Sequence, residues 1–454
     1  MNYKNIHSVY FIGIGGIGMS SIARYFISKG ISINAYDKTR TKLTDQLSHE
    51  GVNIHYEDDY TLIPNVDKID LVIYTPAIPK DNGELLYFQN TNIPIYKRAE
   101  ILGLITKDDF NIAIAGTHGK TSTSTIIAHI LESSGFGCNA FLGGISTNYA
   151  SNSIINHSAK VTVVEADEYD RSFLKLFPNI AVITSIDADH LDIYNNAQEL
   201  KNTFKEFVNL LPEDGKLISL YNLDLNYKNT LTYGENNKAD LIIKNINVID
   251  GKYYFDVKCK ETEIKNLCLG LAGKHNVYNA AAAILIAIEL EINDNDIREA
   301  LLSFKGIKRR FEYQLQKEDL IYIDDYAHHP KEIDAVLNSV NDLYPNKKIT
   351  GVFQPHLFSR TQDFMDDFAK SLSKLDEVIL LDIYPAREKP ISGVNSNVLL
   401  NKIKCSNKQL LSKQELISDL EDRYLEVLLT MGAGNIEELV APIKSVLELK
   451  HIKN

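Results

Sequence analysis

Three times along this chain, a short apolar run of strand length ends in glycine or an acid and gives way to a helix-like stretch. Strands that alternate with helices in this way bury both faces of a parallel sheet, so the pattern predicts an α/β fold. The first unit has strands at 8–14, 31–36 and 71–74, with a glycine turn and helix at 15–30. The pattern restarts after Lys107-Asp108-Asp109, with strands at 111–115, 160–165 and 180–185 and a helix from about 120 to 134. Residues 217–268 read as short strands and loops, and 279–289 as an alanine-rich helix. A third restart near Tyr313 has strand candidates at 320–323, 349–353, 377–381 and 425–429. At roughly 150 residues per domain, 454 residues agree with three such units.

Composition removes several classes. With 44% apolar and 24% charged residues the chain can bury a core, so wholesale disorder is not expected. A formal net charge of −12 leaves no basic field for nucleic acid. Four scattered cysteines, Cys138, Cys259, Cys268 and Cys405, make no CxxC pair and no disulfide scaffold. No apolar run reaches the roughly 18 residues of a membrane span. Glycines interrupt the apolar start at once, so it does not read as a signal segment. A cytoplasmic protein without membrane insertion is expected.

Gly13, Gly15 and Gly18 spell G-x-G-x-x-G between a strand and a helix, with Asp37 about 20 residues on, where a ribose-binding acid is expected. Glycines there let a diphosphate approach the backbone at a helix N-terminus. One reading is a dinucleotide site, another a nucleotide diphosphate of a different kind, and a third a turn that only packs helix on strand.

Gly116-Thr117-His118-Gly119-Lys120-Thr121 is a second phosphate-loop candidate. It falls short of G-x-x-x-x-G-K-[ST], because Ile114 occupies the first glycine position. It keeps a glycine loop, a lysine for the β- and γ-phosphates and a hydroxyl for Mg²⁺. Glu165-Ala166-Asp167-Glu168 and Asp189-His190-Leu191-Asp192 end later strands, and acids beside a phosphate loop suit a divalent cation. Lys274-His275-Asn276 with Asn279, Arg309-Arg310-Phe311, Asp324 to Pro330, and Phe353-Gln354-Pro355-His356 with Arg360 each read singly as structure or function. Most lie at the C-terminal ends of strands, where open α/β sheets bind ligands.

Taken in order, these motifs closely resemble those of the Mur ligases, the ATP-dependent amide-forming enzymes of peptidoglycan synthesis, nearly from end to end. The resemblance implies a Rossmann-like N-terminal domain (1–106) for a UDP-sugar, a central P-loop ATPase-type domain with a mostly parallel sheet (107–311), and a Rossmann-like C-terminal domain (312–454) for an amino acid. It implies ATP and Mg²⁺ as cofactors and UDP-N-acetylmuramate and L-alanine as substrates. A monomer or homodimer is expected. The ATP site would comprise Gly116, Thr117, His118, Gly119, Lys120, Thr121, Ser122, Asn276, Asn279, Arg310 and Asp325. Thr121, Glu165 and His190 would be metal ligands. Gly15, Gly16, Asp37, Thr75, Arg98 and His118 would lie on the UDP-sugar side. Lys120, His190, His328, His356 and Arg360 would be catalytic, the last three lining the alanine pocket.

The chain departs from the family pattern at two places. Tyr169 stands where many members have serine, a spelling that also resembles the branch attaching a recycled tripeptide to the same sugar. Leu357 replaces an arginine often found after Phe-Gln-Pro-His, which leaves Arg360 as the stronger carboxylate partner. A nicotinamide oxidoreductase built on residues 13–37 is a further alternative, but it leaves the Gly-Lys-Thr loop unexplained.

Overall fold

The computed structural model describes residues 6–187, 194, 196–386 and 388–453. Three α/β domains each carry their own sheet. The first sheet is wholly parallel, in the order Asn53–His55, Ser32–Tyr36, Ser8–Ile12, Leu71–Tyr74, Ile95–Lys97. That order reverses direction beside the first strand, the arrangement that opens a ligand crevice at strand C-termini. The expected strand 8–14 stops at Ile12, because Gly13 turns the chain with a φ of 85°.

The second sheet has ten strands. Its middle, Lys216–Leu220, Ile180–Ile183, Phe110–Ala115, Val161–Glu165 and Asn139–Ser146, is parallel, with the antiparallel edge strand Ser151–Ile154 beyond. On the other side follow Thr230–Gly234, Leu241–Ile249, Lys252–Cys259 and Thr262–Leu269, the region read as short strands. Buried runs such as Asn111 to Ala115 are covered on both faces, which is why they show no alternation.

The third sheet runs Glu312–Gln316, Ile321–Asp325, Val427–Met431, Ile349–Phe353, Glu377–Leu380, Asn407–Leu410, antiparallel only at its first edge. Two expectations are corrected here. The strand expected at 320–323 extends through Asp325, because Asp324 and Asp325 pair in register with Thr430 and Met431. The same pairing moves the strand expected at 425–429 to Val427–Met431. The alanine-rich helix also starts earlier, at Lys274, so His275, Asn276 and Asn279 all lie in its opening turns.

Two compact units emerge from the packing. One comprises Met1–Ile246, Phe255–Leu269 and Asn276–Lys305, and the other Asn247–Tyr254, Gly270–His275 and Gly306–Asn454. The first unit holds the first sheet and most of the second. A single apolar cluster spans both, from Phe11, Phe26 and Leu71 to Phe141, Val164 and Phe173. Phe173 stacks on Phe207 at 4.7 Å between ring centres. Truncating such a side chain to alanine costs about 3–5 kcal/mol. Among the described residues, no helix is long and apolar enough to cross a membrane.

Candidate active site

The two glycine loops share one structural habit. The helices Ile17–Ser28 and Lys120–Ser133 begin at Gly16 and Gly119, neither of which offers a capping side chain. Elsewhere Thr41, Asn82, Asn293, Asn395 and Ser412 cap the helices they precede. An uncapped start leaves amide donors and the positive end of the helix dipole for an anion. Gly119 has a φ of 83°, and a Cβ there would meet Asn279 Oδ1 at 2.6 Å. Only glycine combines that turn with so close an approach.

The second loop is stitched to the end of the strand Ile180–Ile183. Thr117 Oγ1 lies 2.9 Å from Ser185 Oγ, and the His118 amide donates to Ser185 Oγ at 2.9 Å. Thr184 Oγ1 donates to the His118 carbonyl at 2.5 Å, and the Asp187 amide to Thr117 Oγ1 at 3.0 Å. The His118 ring is 3.7 Å from Asp187. Ser122 is buried in the first turn of the helix. Asn279 accepts from Thr123 Oγ1 at 3.2 Å and donates to Asn276 Oδ1 at 3.0 Å. The sequence reading missed Thr184 and Ser185. It placed them inside the strand 180–185, which instead ends at Ile183 and leaves both residues in the loop beyond.

The Glu165 to Glu168 motif divides into three tasks. Glu165 accepts from Thr121 Oγ1 at 3.2 Å and from the Gly143 amide at 2.9 Å. Asp167 receives Arg98 Nη2 at 3.2 Å. Glu168, wholly buried, takes Lys120 Nζ on both oxygens, at 2.8 and 3.0 Å. Burial opposes the charge on Lys120, but Glu168, Asp167 and Glu165 outweigh it and push its pKa up. Thr121 and Glu165 together present hard oxygens of the kind Mg²⁺ prefers, and so fit that ion. Among the described residues, no group of three or more His, Cys, Asp or Glu forms a cation site. His190 and the rest of Asp189 to Asp192 lie outside the described residues.

At the first loop, Asp37 accepts from the Gly15 amide at 2.7 Å and from the Thr39 amide at 3.0 Å. The acid expected to bind ribose thus also braces the glycine turn. The Thr75 amide donates to the Ile12 carbonyl, which sets Thr75 at the same sheet edge as Gly15 and Gly16. Arg98 reaches Asp167 and passes so close to Gly18 that a Cβ there would collide with its Nη1. The pocket beside it is lined by Arg98, Glu165, Asp167 and Phe173. Arg98 therefore adjoins the acidic strand end of the second domain.

In the second unit, Asp325 accepts from the amides of Phe311 and Ala327, both at 2.7 Å. Burial raises its pKa to about 6 against the pull of Arg310 and these bonds. The adjacent arginines part company. Arg309 is locked to Asp324 at 2.9 Å and to the Gly432 carbonyl at 2.7 Å. Arg310 stays 3.9 Å from Glu332, its guanidinium 5.1 Å from the centre of the Tyr326 ring. His328 lies against Tyr326 and 6.3 Å from the His356 ring. His356 in turn stacks on Tyr384 at 5.7 Å and approaches Arg360 Nη1 at 3.4 Å. Burial lowers His328 to about 4. It lowers His356 to about 3, with His328 and Arg360 adding to the effect. Both imidazoles are therefore neutral near pH 7. His328, His356 and Arg360 are thus brought together. Tyr384, which the sequence reading missed, closes one side of the group.

The chain that carries this arrangement is similar to known proteins along its length. Family models match it in sequence: the Mur ligase family, catalytic domain over residues 8–109, the Mur ligase middle domain over 114–287, and the Mur ligase glutamate ligase domain over 309–435. The UDP-N-acetylmuramate--L-alanine ligase of Flavobacterium psychrophilum is 52% identical over 99% of this chain and all of its own. That of Christiangramia forsetii is 50% identical over 98% of each. The chain belongs to the Mur ligase family. Among solved structures, the UDP-N-acetylmuramate-alanine ligase of Thermotoga maritima matches with a TM-score of 0.83 and 27% identity over 98% of this chain and all of that one. A murein peptide ligase from Psychrobacter arcticus shares the fold, with a TM-score of 0.72 at 22% identity over 97% and 98% of the two chains. Mur ligases are ATP-dependent. The oxidoreductase alternative, which left that loop unexplained, gives way.

Proposed function

We propose that this chain joins L-alanine to the lactyl carboxylate of UDP-N-acetylmuramate, converting ATP to ADP and phosphate, in cytoplasmic peptidoglycan precursor synthesis. The observation that carries the reading is the convergence of Lys120, Thr121 and Glu165 at one sheet edge, in a chain similar over its full length to alanine-adding ligases. In this reading residues 1–106 bind the UDP-sugar through Gly15, Gly16, Asp37, Thr75, Arg98 and His118. Residues 107–311 bind ATP, with Asn276 and Asn279 towards the adenine, and residues 312–454 bring the amino acid. Arg310, at the end of the central domain, and Asp325 of the third domain reach the nucleotide. The protein acts as a monomer or homodimer.

The lactyl carboxylate attacks the γ-phosphorus, forming an acyl–oxygen–phosphorus bond as the bond to ADP breaks. The alanine amine then adds to the activated carbonyl, and the tetrahedral intermediate expels phosphate and leaves the amide. An anion attacking a polyanion is opposed by charge, and Lys120 with the loop amides offsets that repulsion. Thr121, Glu165 and His190 would hold Mg²⁺, which when bound supplies neutralising charge to the phosphates. Arg360 binds the alanine carboxylate. His328 and His356, held neutral, line the alanine pocket as uncharged hydrogen-bonding groups. Domain closure supplies proximity and excludes water.

The tripeptide branch of the family is the second reading, favoured by Tyr169 alone. A phosphate-release assay with UDP-N-acetylmuramate and ATP separates the two. L-alanine should support turnover and the tripeptide should not, and the reverse result would replace the assignment.

A further inference from the structure

The lysine of the phosphate loop is already engaged by a backbone carbonyl and by both oxygens of one carboxylate. Its ammonium carries three N–H groups, and the structure uses three acceptors: the Gly116 carbonyl at 2.7 Å and the two Glu168 oxygens at 2.8 and 3.0 Å. Glu168 is fully buried, whereas the Lys120 side chain retains 14% of its exposure. The carboxylate is also the fixed partner. The Glu168 carbonyl is held by Tyr194 Oη at 2.5 Å and accepts the Arg171 amide at 3.0 Å. The chain then turns sharply through Asp170 and Arg171, both with φ above 50°. If either partner moves, it is the lysine.

We propose that Glu168 is a positioning residue that parks Lys120, and that nucleotide binds by exchanging its phosphate oxygens for this buried carboxylate. The inference rests on the reading of Lys120 as the phosphate lysine and adds a second role to the acidic motif. The pairing compensates a buried ammonium that would otherwise oppose folding. It also holds back nucleotide affinity, since binding first has to break two charge-assisted hydrogen bonds. A purely structural pair in the same chain looks different. Arg309 and Asp324 are also locked together, but they do not lie on a glycine loop that opens an uncapped helix.

The test is calorimetric titration of the full chain with Mg²⁺ and a non-hydrolysable ATP analogue, wild type against Glu168→Gln and Glu168→Asp. Gln keeps the shape and one acceptor but removes the charge, and the analogue should bind roughly tenfold tighter. Asp keeps the charge but shortens the reach, and a gain of about threefold is expected. The KM for ATP should fall in the same order, with the KM for L-alanine unmoved. Titration with UDP-N-acetylmuramate and the melting temperature report folding for each variant. Unchanged or weaker analogue binding in folded Glu168→Gln overturns the proposal, and if that variant does not fold, Glu168→Asp decides by the same criterion. A wild-type protein that fails to bind the analogue would instead overturn the reading of Lys120, which is a separate result.

Discussion

The phosphate-loop end of the second sheet and the histidine end of the third sheet occupy equivalent places, just past the C-termini of parallel strands, yet they treat charge in opposite ways. Around Lys120 the charged groups are paired: Lys120 with the buried Glu168, and the part-buried Arg98 with Asp167. Around His356 burial removes charge, leaving two neutral imidazoles beside Arg360. The difference teaches that the same strand-end scaffold yields either kind of site. The outcome depends on whether each buried group is given a counter-charge.

The contrast breaks most directly at Lys120. Lys120→Ala should lower alanine-dependent ADP release by at least about 10³-fold, roughly 4 kcal/mol, while UDP-sugar binding persists. Near-normal turnover in that variant would remove the phosphate role altogether. Arg360→Ala should raise the KM for L-alanine about 100-fold and leave the KM for ATP in place. A change in the ATP constant instead would mean that the two ends do not divide the substrates as proposed. Thr121→Val should raise the Mg²⁺ concentration needed for half-maximal rate about tenfold, and Thr121→Ser should restore it.

The smallest effect is on stability against pH. His328 and His356 titrate near 4 and 3 in the folded chain, below the ordinary histidine value of 6.5. Between those values the unfolded chain binds protons that the folded chain refuses. Their contribution is therefore present above about pH 6.5 and is lost as pH falls towards 4 and 3. Asp325, raised to about 6, acts in the opposite sense, its contribution being present at low pH and lost as pH rises through 6. Together with His275, also lowered to about 4, the three histidines outweigh Asp325 and Glu84, the latter raised to about 7, so the melting temperature should drop between pH 7 and pH 5. The drop should be shallower in the His328→Asn/His356→Asn variant and steeper in Asp325→Asn.

Much of this arrangement was legible in the sequence. Alternating buried runs announced the parallel sheets, and Gly-Lys-Thr after a strand placed Lys120 and Thr121. Residues whose roles depend on a distant partner were not legible. Nothing local distinguishes Arg309, which ties Asp324 to the Gly432 carbonyl, from Arg310 one position later. Tyr384 lies about 30 residues from the histidine it stacks on. Thr184 and Ser185 are ordinary residues past a strand until the loop at Thr117 and His118 is laid against them.

Local chemistry thus let the sequence alone determine the layer architecture, the two glycine turns and the residue types offered at each strand end. Backbone preferences and hydrophobic runs act over short stretches and read directly. Tertiary structure alone decided which acid meets which cation. Within Glu165 to Glu168, four consecutive residues, one carboxylate turns to Thr121, one to Arg98 and one to Lys120. A pairing between groups about 45 or more positions apart, and the burial that sets their charge, exist only once the sheets have packed.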